Sequence, residues 1–145
     1  MRKRIVFLLM ITLITACAIE PSTIEYGKDA CHYCKMNIVD KTHATQMVTK
    51  KGKSFKYDAI ECMLNDLKGK DQQSIALFLV TDYLKPETLI DATTATYLIT
   101  EAIQSPMGAN LSAFADQEKT NAFITKINSG TLYTWNELQN NFYNQ

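Results

Sequence analysis

Hydrophobic and polar positions change period several times along this chain of 145 residues. Ile5-Val6-Phe7-Leu8-Leu9-Met10-Ile11-Thr12-Leu13-Ile14 is almost wholly apolar. Thr42–Thr49 is rich in β-branched residues and roughly alternating, Lys50-Lys51-Gly52-Lys53 supplies a turn, and Ser54–Tyr57 alternates again. Strand, glycine-containing turn, strand predicts a hairpin. Ile60, Met63, Leu64 and Leu67 then recur at helical spacing, which predicts a helix over Ala59–Leu67, with Asp58 as its N-cap and Gly69 past its end. The run Ile75–Val80 has no polar position and predicts a strand buried on both faces. Residues 42–83 therefore read β-β-α-β.

The second half repeats that order. Thr94–Ile99 and Asn110–Phe114 read as strands, separated by the turn Ser105-Pro106-Met107-Gly108. Gln117–Asn128 carries Ala122, Phe123 and Ile127 at helical spacing, Leu132–Trp135 reads as a short strand, and Asn136–Tyr143 as a terminal helical turn. Two β-β-α-β units define an α+β protein with antiparallel sheet. The folded domain is expected over residues 29–145, with its two units meeting near residues 85 and 86.

The first apolar run is too short for a comfortable membrane-spanning helix, which needs roughly 20 apolar residues. Preceded by Arg2-Lys3-Arg4 and followed by Thr15-Ala16, it suits a secretory signal over residues 1–16. Leu13-Ile14-Thr15-Ala16-Cys17 resembles a bacterial lipobox, which makes Cys17 the expected lipidation site and residues 17–28 an anchor and polar tether. Such a chain sits in the cell envelope, tethered to a membrane and facing the periplasmic or extracytoplasmic side. Several acyl chains hold where one is marginal, each buried methylene contributing about 0.8 kcal/mol. Loss of the leader leaves 12 basic against 15 acidic residues. A mildly acidic chain has no electrostatic footprint for nucleic acid.

With Cys17 consumed, Cys31, Cys34 and Cys62 remain, an odd number that argues against a purely structural disulfide framework. Cys31-His32-Tyr33-Cys34-Lys35-Met36 places two thiols, an imidazole and a thioether within six residues. Soft sulfur donors favour Cu(I) over hard cations. A thiol–disulfide switch would want the CxxC at a helix start behind a strand, and none precedes it here. A closed zinc site would have to recruit Cys62, His32 or His43, since there is no second CxxC. Met36, two residues past the clamp, and Met107, in a Pro-Met-Gly turn, are poorly placed for core filling and well placed as thioether ligands. His43 joins them as a nitrogen candidate. Cys62, Met63 and His32 rank behind: the first two share a helix with core positions, where a small thiol and a methionine are ordinary filler.

Asp29-Ala30-Cys31-His32-Tyr33-Cys34-Lys35-Met36-Asn37-Ile38 resembles the D-x-C-x-x-C-(G)-M-x-I pattern of the NosL family, copper-binding lipoproteins encoded with nitrous-oxide reductase. Gln46 and Val48 resemble that family's Q-x-V strand. Phe55–Met63 looks like its F-D-D-x-x-C-M segment, and Ser105–Gly108 is similar to its P-M-G element. Lys35 departs from the pattern, standing where the family has glycine. The resemblance implies a fold of two β-β-α-β units related to the organomercurial-lyase core, and a non-enzymatic chaperone delivering Cu(I) for the copper centres of nitrous-oxide reductase in denitrification. Its partners would be copper-donating or copper-accepting proteins of that maturation machinery. The competing readings are a thiol–disulfide enzyme, a carbon–mercury lyase using two cysteines and a carboxylate, and a structural zinc lipoprotein.

Overall fold

The computed structural model describes residues 18–143; the leader expected over residues 1–16 and the lipidation site Cys17 lie outside the described residues. The first hairpin forms as the alternation predicts: β1 (Thr45–Thr49) pairs antiparallel with β2 (Ser54–Tyr57), placing Met47 opposite Phe55 and Thr45 opposite Tyr57. Helix α1 (Ile60–Leu67) follows, and β3 (Ile75–Thr81) returns antiparallel on the other side of β1. A short strand that the sequence pattern does not announce, β4 (Leu89–Asp91), completes a sheet of order β2-β1-β3-β4. The first sheet thus runs on to Asp91.

The second unit copies the first. β5 (Thr96–Ile99) is the central strand, flanked by β6 (Leu111–Phe114) and by β7 (Thr131–Tyr133) on either side of helix α2 (Gln117–Ile127) in sequence. Asp116 caps α2 by accepting from the amides of Glu118 and Lys119 at 2.9 and 3.1 Å. Gly130 sits at φ +121°, where a Cβ would come within 2.5 Å of Leu98 Cδ1 and 3.1 Å of the Ile99 carbonyl, so only glycine lets β7 close on β5. The chain ends in a full helix, α3 (Trp135–Tyr143), rather than in a strand through Trp135 and a single turn. Its start is a capping box: Glu137 Oε2 accepts from the Thr134 amide at 2.8 Å, and Thr134 Oγ1 faces the Glu137 amide at 3.4 Å.

Three contacts lock the two sheets together. Asp82 and Ala113 form an isolated parallel bridge, with the Tyr83 amide donating to the Ala113 carbonyl at 2.8 Å. His43 Nε2 lies 3.0 Å from Ser112 Oγ on β6. Trp135 of α3 packs on Phe78 of the first sheet and on Tyr97 of the second. One core cluster accordingly runs from Met47, Tyr57 and Met63 to Tyr97, Leu111 and Leu138.

Two expectations about burial change. β3 is central in the hydrogen bonding, yet Ala76–Leu79 are only half buried. β1, expected to alternate, is buried on both faces. Its polar Gln46 is covered by the N-terminal segment, exchanging a pair of 2.8 Å hydrogen bonds with the backbone of Ser22. Lys56 fastens the same segment through the Thr23 carbonyl and Asp29. From Ser22 onward the expected tether is therefore docked on the domain. Among the described residues no helix is long and apolar enough to cross a membrane.

Candidate metal centre

The clamp is a tight loop folded back on itself. Ala30 and Asn37 form a β-bridge, Cys31 N donates to the Met36 carbonyl at 2.7 Å, and Lys35 N donates to the Cys31 carbonyl at 3.0 Å. Closing the loop so tightly puts Lys35 in the left-handed region, at φ 68°. That conformation is where glycine is at ease and a side chain is strained, which accounts for the glycine of the family pattern at this position. His32 N donates to the Lys56 carbonyl, pinning the loop to the edge strand β2. Cys31 is thereby turned into the core and fully buried, Cys34 is half buried, and Tyr33 and Met36 point outward.

The third thiol arrives from α1. Cys62 is the third residue of that helix and is fully buried beneath the clamp. Asp58, at the β2–α1 junction, completes the group: one ligand atom from each of Cys31, Cys34, Asp58 and Cys62 lies within 4.8 Å of all the others. Cys34 Sγ donates to Asp58 Oδ1 at 3.5 Å. The N-cap expected of Asp58 is not made. Ala59 occupies that position without a side-chain hydrogen bond, and the Asp58 carboxylate faces the thiols instead.

These neighbours set the protonation of the site. A hydrogen bond from Cys62 holds the Cys31 thiol down at about 6, against the opposing effect of burial. Cys62 is raised, first because it donates that bond to Cys31 and then by burial and Asp58. Cys34 is raised by burial. At neutral pH the cluster offers one thiolate and two protonated thiols, and capture of a metal would release the remaining protons.

Of the other candidates, neither histidine joins the group. Met36 and Met107 are surface residues, 51% and 42% exposed. Met63 is in the core. His32 packs on Phe55 at 4.6 Å and lies 4.0 Å from Asp66. His43 has both ring nitrogens engaged, Nε2 with Ser112 and Nδ1 with Thr42 Oγ1 at 2.9 Å and Asp40 at 3.2 Å. Asp40, His43 and Ser112 follow the order of a hydrolytic triad, but Ser112 and His43 are buried, and the arrangement serves to tie β6 to the start of β1. Of the cysteine and histidine candidates, the structure gathers Cys31, Cys34 and Cys62. It adds Asp58, which the sequence offers as a helix cap and within the segment that resembles F-D-D-x-x-C-M.

The turn that carries Met107 is held by a buried carboxylate. Glu61, next to Cys62 on α1, accepts from the Ser105 hydroxyl and, at 3.2 Å, from the Ala109 amide, so the Ser105–Gly108 turn is tied to the helix that carries the third thiol. Glu61 Oε2 is buried with no hydrogen-bond partner, and burial raises the carboxyl above its usual range. Gly108, at φ +80°, closes the turn.

Two linked β-β-α-β units make an α+β domain, and the three-thiol, one-carboxylate cluster between a surface loop and a helix is a group of the kind that could hold a metal ion. The profile of the NosL family matches residues 21–143. This chain belongs to the NosL family. Among solved structures it is similar to the copper chaperone NosL from Shewanella denitrificans, with a TM-score of 0.70 and 21% identity, over 83% of this chain and 96% of that one. At that identity the likeness establishes the antiparallel mixed fold. No curated protein matches the chain.

Proposed function

We propose that this protein is a non-enzymatic Cu(I) metallochaperone, held in the cell envelope by a lipidated Cys17, that hands copper to the machinery assembling the copper centres of nitrous-oxide reductase. The observation that carries the reading is the convergence of Cys31, Cys34 and Cys62 within 4.8 Å, with Cys31 and Cys62 buried and Cys34 partly exposed. Thiolates suit Cu(I), and a partly exposed site lets metal leave as readily as it arrives. The family membership and the chaperone described for the similar Shewanella structure support the copper assignment. The leader and its lipobox support the anchor.

In this reading Cys31 and Cys34 bind, Cys62 completes a trigonal sulfur set, and Met36 or Met107 receives or releases the ion at the surface. His43 would ligate only by giving up Ser112 or Asp40. A carboxylate is a hard donor and a poor match for Cu(I), so Asp58 accepts hydrogen bonds rather than coordinating.

Asp58 also favours a second reading, because three thiolates and a carboxylate make a closed tetrahedral set for zinc. The deciding experiment titrates the reduced protein with Cu(I) and with Zn(II) against competing chelators. One Cu(I) per chain is expected, lost in the Cys31→Ser/Cys34→Ser double variant. Stoichiometric Cu(I) binding by that variant would refute the clamp assignment, and a site that holds zinc but yields copper to a weak chelator would establish the zinc reading.

A further inference from the structure

Charge is unevenly spread along this chain. Residues 28–70 carry nine lysines against five acids, of which Asp58 and Glu61 are buried, while residues 71–145 carry three lysines against eight acids. The stretch that supplies the clamp, β1, β2 and α1 is thus net cationic, and it is the stretch that holds the thiols.

Three of those lysines border the clamp itself. Lys53 and Lys70 place their ammonium groups 4.8 and 4.4 Å from the centroid of the Phe55 ring, and that ring packs on His32 between the two clamp cysteines. Lys35 reaches the His32 carbonyl from within the loop. Asp66, the acid drawn into the group, is already shared by the Tyr57 hydroxyl at 2.6 Å and Lys70 at 3.3 Å. Beside them Tyr33 and Met36 stand exposed on either side of Cys34. The result is an aromatic and thioether centre at the mouth of the site, with a cationic rim.

We propose that the Lys35–Lys53–Lys70 face is the docking surface for the protein that exchanges metal with this chain, and that this partner presents an acidic surface around its own metal ligands. The proposal rests on the chaperone reading, since an acceptor ligand must reach Cys34 and so must cover this face. Complementary charge steers the encounter and fixes its register, while Tyr33 and Met36 supply the apolar centre of the contact. An anionic bilayer would also attract the lysines, but a membrane lying on this face would bury Cys34 and Met36 and shut out any acceptor.

The test uses the full chain in non-ionic detergent and two dye-labelled Cys-x-x-Cys peptides of equal length, one flanked by Asp and Glu, the other by Lys. The acidic peptide is expected to take Cu(I) about tenfold faster than the basic one at about 0.01 M salt, with little preference left at about 1 M, where screening acts within roughly 3 Å. Lys53→Gln/Lys70→Gln should abolish the preference and Lys53→Glu/Lys70→Glu reverse it, while Lys126→Glu on α2 leaves it intact. Equal rates for the two peptides, or a preference untouched by the Lys53 and Lys70 variants, would overturn the proposal. If the protein holds no Cu(I), the chaperone reading fails. Fluorescence anisotropy of Cys→Ser versions of the peptides on the metal-free chain then decides the docking face by itself, with preferential binding of the acidic peptide upholding it and equal binding overturning it. Attachment to phosphatidylglycerol vesicles that needs Lys53 and Lys70, with no peptide preference, would assign the face to a membrane surface instead.

Discussion

Asp58 Oδ1 accepts the thiol of Cys34 across 3.5 Å, joining the clamp loop to the junction between β2 and α1. This carboxylate separates the two metals by their chemistry. In Asp58→Asn the shape is kept and the charge removed. Zinc affinity should fall by about tenfold or more, in the range seen when a supporting or ligating carboxylate is lost, while Cu(I) affinity stays close to that of the parent. Chelator competition with each metal reads both numbers. A Cu(I) affinity that falls as far as the zinc affinity would make Asp58 a copper ligand.

The Cys62–Cys31 hydrogen bond predicts how the reduced, metal-free protein responds to pH. Cys31 has its folded pKa lowered to about 6, so between about 6 and its ordinary value of 9.0 the unfolded chain binds more protons and stability rises with pH. Cys62 is shifted upward, so above 9.0 the unfolded chain ionises first and stability falls. Denaturation midpoints should therefore climb to a maximum near the ordinary thiol pKa. In Cys62→Ala the Cys31 thiol loses its donor, and both limbs should flatten. An unchanged rising limb in that variant would show that another group lowers Cys31.

Three thiols within reach of one another make the metal-free site sensitive to oxidation. A disulfide between any two passes two electrons to the oxidant and removes two thiolate ligands at once. Bound Cu(I) should protect Cys31 and Cys34 from alkylation, and Cys62 with them, while the oxidised protein should take up little Cu(I) until reduced. Mass mapping after alkylation with and without copper checks this. Full labelling of Cys31 and Cys34 in the loaded protein would shift the site to Cys62 and the methionines.

Glu61 ties α1 to the Met107 turn at the cost of a buried, half-satisfied carboxylate. Glu61→Ala should destabilise by about 1–3 kcal/mol, because it leaves the Ser105 hydroxyl and the Ala109 amide without their acceptor. Glu61→Gln should retain those contacts. Because burial raises the Glu61 carboxyl, the parent loses stability as pH rises above the usual 4.5, and the glutamine variant should lack that decline. Urea midpoints across acidic pH test both statements. Equal pH profiles for parent and Glu61→Gln would refute the second.

Lys35 holds a left-handed conformation inside the clamp. Lys35→Gly should remove strain of about 1 kcal/mol, partly offset by the lost bond to the His32 carbonyl and by greater freedom of the unfolded chain. A small rise in melting temperature with unchanged metal stoichiometry is the expected result. A clear loss of stability would mean that the ammonium contact outweighs the backbone strain.

Much of the architecture is local in origin, which is why it can be read from the chain. Alternation around Met47 and Phe55, the helical spacing of Ile60, Met63, Leu64 and Leu67, and the same order after Thr94 encode two β-β-α-β units, because burial on one face imposes the period of each element. The clamp is equally legible, since its cysteines and Met36 are neighbours in the sequence. Trp135 misled only through an overlooked signal, the Thr134-x-x-Glu137 capping box that starts α3. What the sequence could not rank were residues whose role depends on distant partners. Cys62 and Met63 are adjacent and share a helix, yet the pitch of that helix and its packing under residues 31–34 turn the first toward the thiols and the second into the core. His43, equally plausible as a ligand on paper, is claimed by Ser112, 69 positions away. Asp58 reads as a cap because capping is a local rule, and only the docking of the clamp on β2 brings a thiol within reach of its carboxylate and gives it a different partner. The identity of the elements and of the first two thiols was set by short-range pattern. Which third thiol and which carboxylate join them was decided by packing between segments some 24 to 31 positions apart, on which periodicity is silent.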